Sequence, residues 1–351
     1  MQPVRMARRL PDILRIEWPA AAAAPPAATD AALDRAAEVL RDGGLVAIPT
    51  ETVYGLAADA LSAEAVEGIY RAKGRPASNP VIVHVADVEM ARALAARWPP
   101  VADAIASRLW PGPVTVVVPR SHRVPDVVTA GGPTVALRCP DHRLARRLIE
   151  RTGRPLAAPS ANRAEAVSPT TAQHVLEGLG SRIGLILDAG PCGRGLESTV
   201  VDCTVDPPRI LRPGPVSRDS LAAAVGCPVA WAAAEAGHGV ARSPGQARRH
   251  YAPRTPLEIA ADAAARGSEL VAGGDRIGLI TIRVDDRVRA LAATKSVVAV
   301  PMPPDPEAYG RQLYATLHAL DQRQLDRIIV EAPPETEAWR AVLDRLARAA
   351  E

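Results

Sequence analysis

The spacing of apolar and polar positions predicts an ordered series of short elements. Ile13, Leu14, Ile16 and Trp18 suggest a first strand, and the Ala/Pro-rich tract 19–29 reads as a flexible connection. Between Asp30 and Arg41, Ala31, Leu33, Ala36, Val39 and Leu40 recur at helical spacing, with Asp30 as N-cap and Gly43-Gly44 as the stop signal. Leu45-Val-Ala-Ile48, closed by Pro49, is a short apolar run typical of a buried strand. Helices are expected over 63–71, 88–98, 101–109, 143–152 and 170–179, and strands over 81–85, 114–118, 134–138, 156–158, 183–188 and 199–203. Such alternation argues an α/β domain. Regularity fades after Ser217, and 243–253 reads as a linker. A second alternation follows, with strands at 257–260, 277–284, 297–300 and 327–331 and helices at 307–321 and 335–350. Its spacing fits a small parallel sheet with crossover helices.

Length and composition narrow this picture. A chain of 351 residues fits two domains. Its 48 % hydrophobic and 23 % charged residues mark a soluble globular composition, and no apolar run reaches the ~20 residues of a membrane span. Phe is absent and aromatics total 3 %, which argues against a stacking platform for single-stranded nucleic acid. A net charge of +3 is no nucleic-acid signal by itself. Cys139, Cys192, Cys203 and Cys227 show no C-x-x-C spacing, so they read as small buried residues of a reducing compartment. Charges break the segment after the basic N-terminus, which is therefore no signal peptide, and a cytoplasmic location is expected. Lys occurs only at 73 and 295, so Arg carries nearly all the positive charge.

No P-loop, H-E-x-x-H or G-x-S-x-G motif occurs. The informative strings instead sit at predicted strand ends. Pro49-Thr-Glu-Thr-Val-Tyr-Gly-Leu56 places two hydroxyls, a carboxylate and a phenol after a buried strand, where α/β proteins bind ligands. A turn capped by Thr50 explains the same residues. In Lys73-Gly-Arg-Pro-Ala-Ser-Asn-Pro80, Lys73 and Arg75 can converge on polyphosphate from a surface loop, or simply form a solvated basic turn. His84 lies within an apolar strand. Arg138 ends another and demands an anionic partner, either a structural Asp such as Asp141 or a ligand carboxylate. Ser160 and Asn162 follow a strand, Ser168 precedes a helix, Glu197-Ser-Thr199 opens a strand and Arg212-Pro-Gly214 closes one. Together these spell neither a catalytic triad nor a metal cage, but a site that grips anions and hydroxyls.

With Leu109-Trp-Pro-Gly-Pro113, Ala157-Ala-Pro-Ser-Ala-Asn162 and Leu313 to Asp321, the ordered set resembles the threonylcarbamoyl-AMP synthase family in its two-domain form. The resemblance implies a YrdC-like twisted mixed-sheet α/β domain with a concave site over 12–217, a linker that folds over that site at 218–255, and a smaller Rossmann-like parallel-sheet α/β domain at 256–351. It implies an enzyme, a nucleotidyltransferase that makes threonylcarbamoyl-AMP and pyrophosphate from L-threonine, bicarbonate and ATP for N6-threonylcarbamoyladenosine in tRNA. By resemblance, Thr52, His84, Arg138, Ala158 and Ser198 hold threonine. Lys73 and Arg75 are catalytic and, with Asn79, Thr134, Ser160, Asn162, Ser168 and Arg212, face ATP. Arg248, His250 and Tyr251 belong to the linker lid, and Mg²⁺ arrives with ATP rather than in a protein cage. Implied partners are a tRNA threonylcarbamoyl transferase complex that takes the product, and RNA. This chain departs from the family pattern at Gln246-Ala247-Arg248, at Ala77-Ser78 and at Ile48, where the family often has Phe. Two rivals share the domain. A non-catalytic double-stranded RNA binder has no use for Lys73, Arg75, Thr52 and Arg138 in register, and a carbamoyl-transfer maturation factor needs C-x-x-C pairs that are absent here.

Overall fold

Short apolar runs build the first and larger sheet. A computed structural model describes residues 10–19, 21–232 and 250–351. Its strands are β1 (Asp12–Arg15), β2 (Val46–Ile48), β3 (Gly55–Asp59), β4 (Ile82–His84), β5 (Val114–Pro119), β6 (Thr134–Arg138), β7 (Leu156–Ala157), β8 (Leu185–Asp188), β9 (Thr199–Asp202), β10 (Arg209–Arg212) and β11 (Ala230–Trp231). They pair in the order β1-β8-β2-β3-β7-β4-β6-β5-β9-β10-β11, with parallel and antiparallel neighbours mixed. The helices of this half are α1 (Ala27–Arg41), α2 (Ala63–Lys73), α3 (Val88–Arg92), α4 (Pro100–Leu109), α5 (Asp126–Thr129), α6 (Arg143–Thr152), α7 (Ala172–Leu179) and α8 (Arg218–Val225). Strand alternation sends side chains into two layers. Val46 and Ile48 join Leu33, Leu40, Leu144 and Leu148 beneath α1 and α6, while Ala47, Leu56, Val83 and Leu137 belong to the opposite core.

The second sheet is wholly parallel. It contains β12 (Leu257–Ala260), β13 (Ile277–Thr281), β14 (Val297–Pro301) and β15 (Arg327–Glu331) in the order β12-β15-β13-β14. Crossovers are made by α9 (Ala263–Ala272), α10 (Asp286–Ala292) and α11 (Pro306–Asp321), and α12 (Arg340–Ala350) ends the chain. Val53, Val167 and Leu196 of the first half share one core with Tyr251, Tyr314 and Leu317. The α/β class and the mixed-then-parallel pair of sheets match the sequence reading. Among the described residues no helix is long and apolar enough to cross a membrane.

Several local expectations need correction. Helix α1 starts at Ala27 rather than at Asp30, whose carboxylate pairs with Arg151 instead of capping. The tract after Trp18 is tied down: the Trp18 indole donates to Ala22 O at 3.2 Å, and the Arg143 guanidinium lies 4.2 Å from the Trp18 ring centroid. Lys73 was expected in a surface loop, yet it is the last residue of α2 and is buried. Strand β3 was not foreseen, because its first two residues belong to the string read as a polar turn.

Candidate functional site

The sheet order gathers the strand-end residues. Strands β4 and β6 run parallel with His84 opposite Arg138, so both residues stand at the same end of neighbouring strands. Strand β7 lies antiparallel to β3 and β4, and the chain leaving it passes Ala158 and pairs Ser160 with Gly55. From the far side, β9 begins just after Ser198, with β10 antiparallel to it and ending at Arg212. The resulting cleft is lined by Thr50, Arg75, His84, Arg138, Ala158, Ser160, Glu197, Ser198 and Arg212, together with His250 and Tyr251.

Each wall has its own hydrogen-bond logic. Thr50 Oγ1 accepts from the backbone N–H groups of Thr52 and Val53, both at 3.2 Å, and lies 2.9 Å from Thr52 Oγ1. Thr50 thus caps the turn that carries Thr52. The Arg138 guanidinium contacts Glu51 at 2.6 Å, both side chains being almost fully buried. The anionic partner is therefore Glu51 and not Asp141. The contact lacks hydrogen-bond alignment, leaving both Glu51 oxygens and Arg138 Nε and Nη2 without such a bond. Arg212 grips the Ser198 carbonyl through Nε at 3.1 Å and Nη2 at 2.9 Å, and Ser198 Oγ lies 2.8 Å from Thr115 Oγ1. Arg75 donates to Asn79 O at 3.2 Å and Pro80 O at 3.0 Å. Burial lowers its guanidinium to about 10, which still leaves it protonated at neutral pH.

Lys73 is not a free phosphate-seeking ammonium. Its Nζ donates to the Ser160 carbonyl and to both the carbonyl and Oδ1 of Asn162, which ties α2 to the loop after β7. Burial first, and Arg75 second, depress its pKa well below the ordinary lysine range. Burial and the nearby Arg138 likewise hold His84 neutral, well below its usual pKa.

Glu197 was noted in the sequence only as part of a strand start. Its Oε1 accepts from Ser168 Oγ at 2.6 Å, and its Oε2 accepts from Tyr314 Oη at 3.0 Å and Arg345 Nε at 2.8 Å. Burial alone would raise this carboxyl, but Arg345 and Arg212 outweigh it and bring it down to about 2. Tyr314 stands on α11 and Arg345 on α12, so the second half of the chain reaches the wall of the cleft. No spacing rule links residues this far apart, so neither contact was legible in the sequence.

The remaining expected residues divide. Asn162 and Ser168 are buried at the cleft margin through the contacts above, and Asn79 sits in the turn beside Arg75. Thr134 begins β6, whereas Arg138 ends it, so about 13 Å of strand separates them. Arg248, with Gln246 and Ala247, lies outside the described residues. Among the described residues, buried polar atoms without hydrogen-bond partners concentrate here: besides those of Glu51 and Arg138 they include His84 Nδ1, Asn79 Oδ1, His250 Nδ1 and Tyr251 Oη. Unsatisfied groups at this density are costly unless a polar ligand meets them. No group of three or more His, Cys, Asp or Glu among the described residues could hold a metal ion.

Comparisons with known proteins agree with this layout. Residues 38–214 match the Sua5/YciO/YrdC family, described as "Telomere recombination", and residues 216–351 match the family described as "Threonylcarbamoyl-AMP synthase, C-terminal domain". The chain is 40 % identical to the threonylcarbamoyl-AMP synthase of Bacillus subtilis, covering 92 % of this chain and 93 % of the relative. It is also 40 % identical to that of Pyrococcus abyssi, over 90 % and 92 % of the two chains. The crystal structure of P. abyssi Sua5 complexed with L-threonine superposes with a TM-score of 0.84 at 36 % identity, covering 97 % of each chain.

Proposed function

The chain belongs to the threonylcarbamoyl-AMP synthase family in its two-domain form, and we propose that its cleft joins L-threonine, bicarbonate and ATP into threonylcarbamoyl-AMP and pyrophosphate. The observation that carries this reading is the ring of orphaned donors and acceptors around Arg138, His84 and Tyr251. The threonine carboxylate meets Arg138, whose planar fork suits a carboxylate. Thr52, Ala158, neutral His84 and Ser198 shape the rest of that subsite. Arg75, Arg212, Ser160, Asn162 and Ser168 face the nucleotide, with Asn79 and Thr134 further out.

The chemistry needs no protein nucleophile. Bicarbonate gives CO₂ by losing hydroxide, and the threonine amine bonds to the CO₂ carbon and loses a proton, which leaves with that hydroxide as water. An oxygen of the resulting carbamate bonds to the α-phosphorus of ATP as the bond to the pyrophosphate oxygen breaks. Arg75 and Arg212 offset charge on the phosphates, and the walls hold the two reactants in line. Lys73 acts by fixing the Ser160 to Asn162 loop. His250 and Tyr251 cover the site and keep water from a labile mixed anhydride. Glu197, the carboxylate lining the cleft, is held by Arg345, and Glu51 behind it stands 2.6 Å from Arg138. Mg²⁺ is therefore proposed to ride on the triphosphate, where it neutralises charge, and not on a protein cage. The division into catalytic residues 12–217, linker 218–255 and second domain 256–351 is adopted with this reading as a functional one, since α8 and β11 at the start of that linker belong with the first sheet. We assign the protein to the cytoplasm and its product to a tRNA threonylcarbamoyl transferase complex, with RNA contact at the concave face. A purely RNA-binding role leaves the cleft's orphaned groups unused.

Purified protein should release pyrophosphate from ATP only when threonine and bicarbonate are both supplied. ATP turnover indifferent to threonine would sink the assignment.

A further inference from the structure

We infer that Arg345, on the last helix, is a positioning residue for the nucleotide subsite, acting through Glu197 and Pro213. This rests on the cleft being the threonylcarbamoyl-AMP site. Arg345 is fully buried, and it spans two segments that line the cleft. Its Nε donates to Glu197 Oε2 at 2.8 Å and its Nη2 to the Pro213 carbonyl at 3.0 Å. Glu197 passes the constraint to Ser168 through its other oxygen, at 2.6 Å. Pro213 directly follows Arg212. One guanidinium therefore fixes Ser168 and Arg212, two groups assigned to ATP, from a helix none of whose residues lines the cleft.

The loop bearing Glu197 is clamped so that this charge has a fixed target. Arg194 N donates to Glu51 O at 2.7 Å and Gly195 N to Thr52 O at 3.1 Å, which binds the loop to the threonine side of the cleft. On its other side Gly195, at φ +76°, lies against α11 so closely that a Cβ would fall 2.6 Å from Arg311 Cα. Tyr314 Oη on the same helix gives Glu197 its second donor at 3.0 Å. Helices α11 and α12 thus set the height of the Glu197 loop, and Arg345 sets the direction of its carboxylate. Buried charge-assisted hydrogen bonds of this kind are directional and are strongly felt when one partner is removed.

The test uses the full chain, with ATP and L-threonine as probes, in steady-state kinetics and calorimetric binding. Arg345→Met should weaken ATP, in both KM and Kd, by roughly 10- to 100-fold, the scale of a lost charge-assisted hydrogen bond. Threonine affinity should change less, by under about tenfold, since Arg345 reaches the threonine-side Ser198 only indirectly, through Glu197 and Arg212. Arg345→Met combined with Glu197→Gln removes the stranded buried charge. It should recover the melting temperature without recovering ATP affinity. Arg345→Lys should recover ATP affinity in part, keeping the charge but losing the fork. If Arg345→Met lowers only the folded fraction, with ATP KM and Kd unchanged, or if the double variant restores stability and ATP affinity together, the residue is merely structural and the inference fails. Should Arg345→Met not fold, Tyr314→Phe keeps the packing and removes one donor to Glu197, and it must still raise the ATP KM. A wild-type chain without threonine-dependent pyrophosphate release would overturn the functional reading itself. ATP Kd in the Arg345 variants would then still decide whether that residue orders the subsite.

Discussion

Arg138 sets Nη2 2.6 Å from Glu51 Oε1 and keeps Nε without a hydrogen bond, a donor that a substrate carboxylate would meet. Arg138→Ala should raise the threonine KM by about 100-fold, because a charge-assisted pair is worth up to ~3 kcal/mol. A threonine KM equal to wild type would remove Arg138 from the substrate subsite. Lys73 leads to a different expectation from the one its sequence context suggested. Its scarcity and its Gly-Arg-Pro neighbours marked the residue but could not reveal burial. With Nζ serving three acceptors on the Ser160 to Asn162 loop, Lys73→Ala should abolish turnover and also destabilise the fold by about 2–4 kcal/mol. Urea denaturation separates the two effects, and an unchanged midpoint would show that the loop does not depend on Lys73. The reason Arg138 was legible and Glu51 was not is local. A strand-end arginine advertises an unmet charge, whereas an acidic residue inside a polar turn has an ordinary explanation. Arg345 looks like one more arginine on an amphipathic helix until the fold buries it.

Elements were legible wherever branched residues clustered. Strands β4, β5 and β6 are built around Val, Ile and Leu, and the sequence located all three within two residues. Strand β3 reads Gly-Leu-Ala-Ala-Asp, residues with weak strand preference, and is fixed by neighbours on both sides and both faces instead of by propensity. The Arg212-Pro-Gly214 string was legible as a strand end, but its function as a crossing point was not. A Cβ on Gly214 would fall 2.3 Å from Thr199 N and 2.7 Å from Glu197 O, with backbone atoms that cannot swing away. Gly214→Ala must therefore part β9 from the chain after β10, just where Ser198 and Arg212 meet. The expected cost is about 1–3 kcal/mol of stability or more, as for other overpacked sites, together with at least a tenfold loss of kcat/KM. Wild-type melting and kinetics in that variant would show that the crossing is looser than its geometry implies.

At the scale of the whole molecule, the sequence announced two α/β units but not how far they interlock, since inter-sheet contacts leave no periodic trace. The seam between them has a pH signature. At one place His174 of α7 stacks on His318 of α11 with ring centroids 3.9 Å apart, and His318 Nε2 lies 3.1 Å from Ser168 O. Burial, with His318 beside it, lowers His174 to about 4, and burial lowers His250 to about 3. Unfolded, both imidazoles would titrate near their ordinary value, so between pH ~6.5 and ~4 the unfolded chain binds more protons than the native one. Stability must then fall as pH falls through that window. Glu197 extends the effect. Its folded pKa of about 2 lies below the unfolded value, so its contribution, on the order of 3 kcal/mol, is full above pH ~4.5 and is lost toward pH 2. Both groups have the same sign, and melting temperature should decline steadily from pH 7 to pH 4 and more steeply below. His174→Gln should make the upper part of that profile shallower, with His250 still contributing there, and leave the part below pH ~4 to His250 and Glu197. A melting temperature independent of pH between 6.5 and 4 would mean that the histidines at the seam keep their ordinary pKa and that the two halves are not held through them.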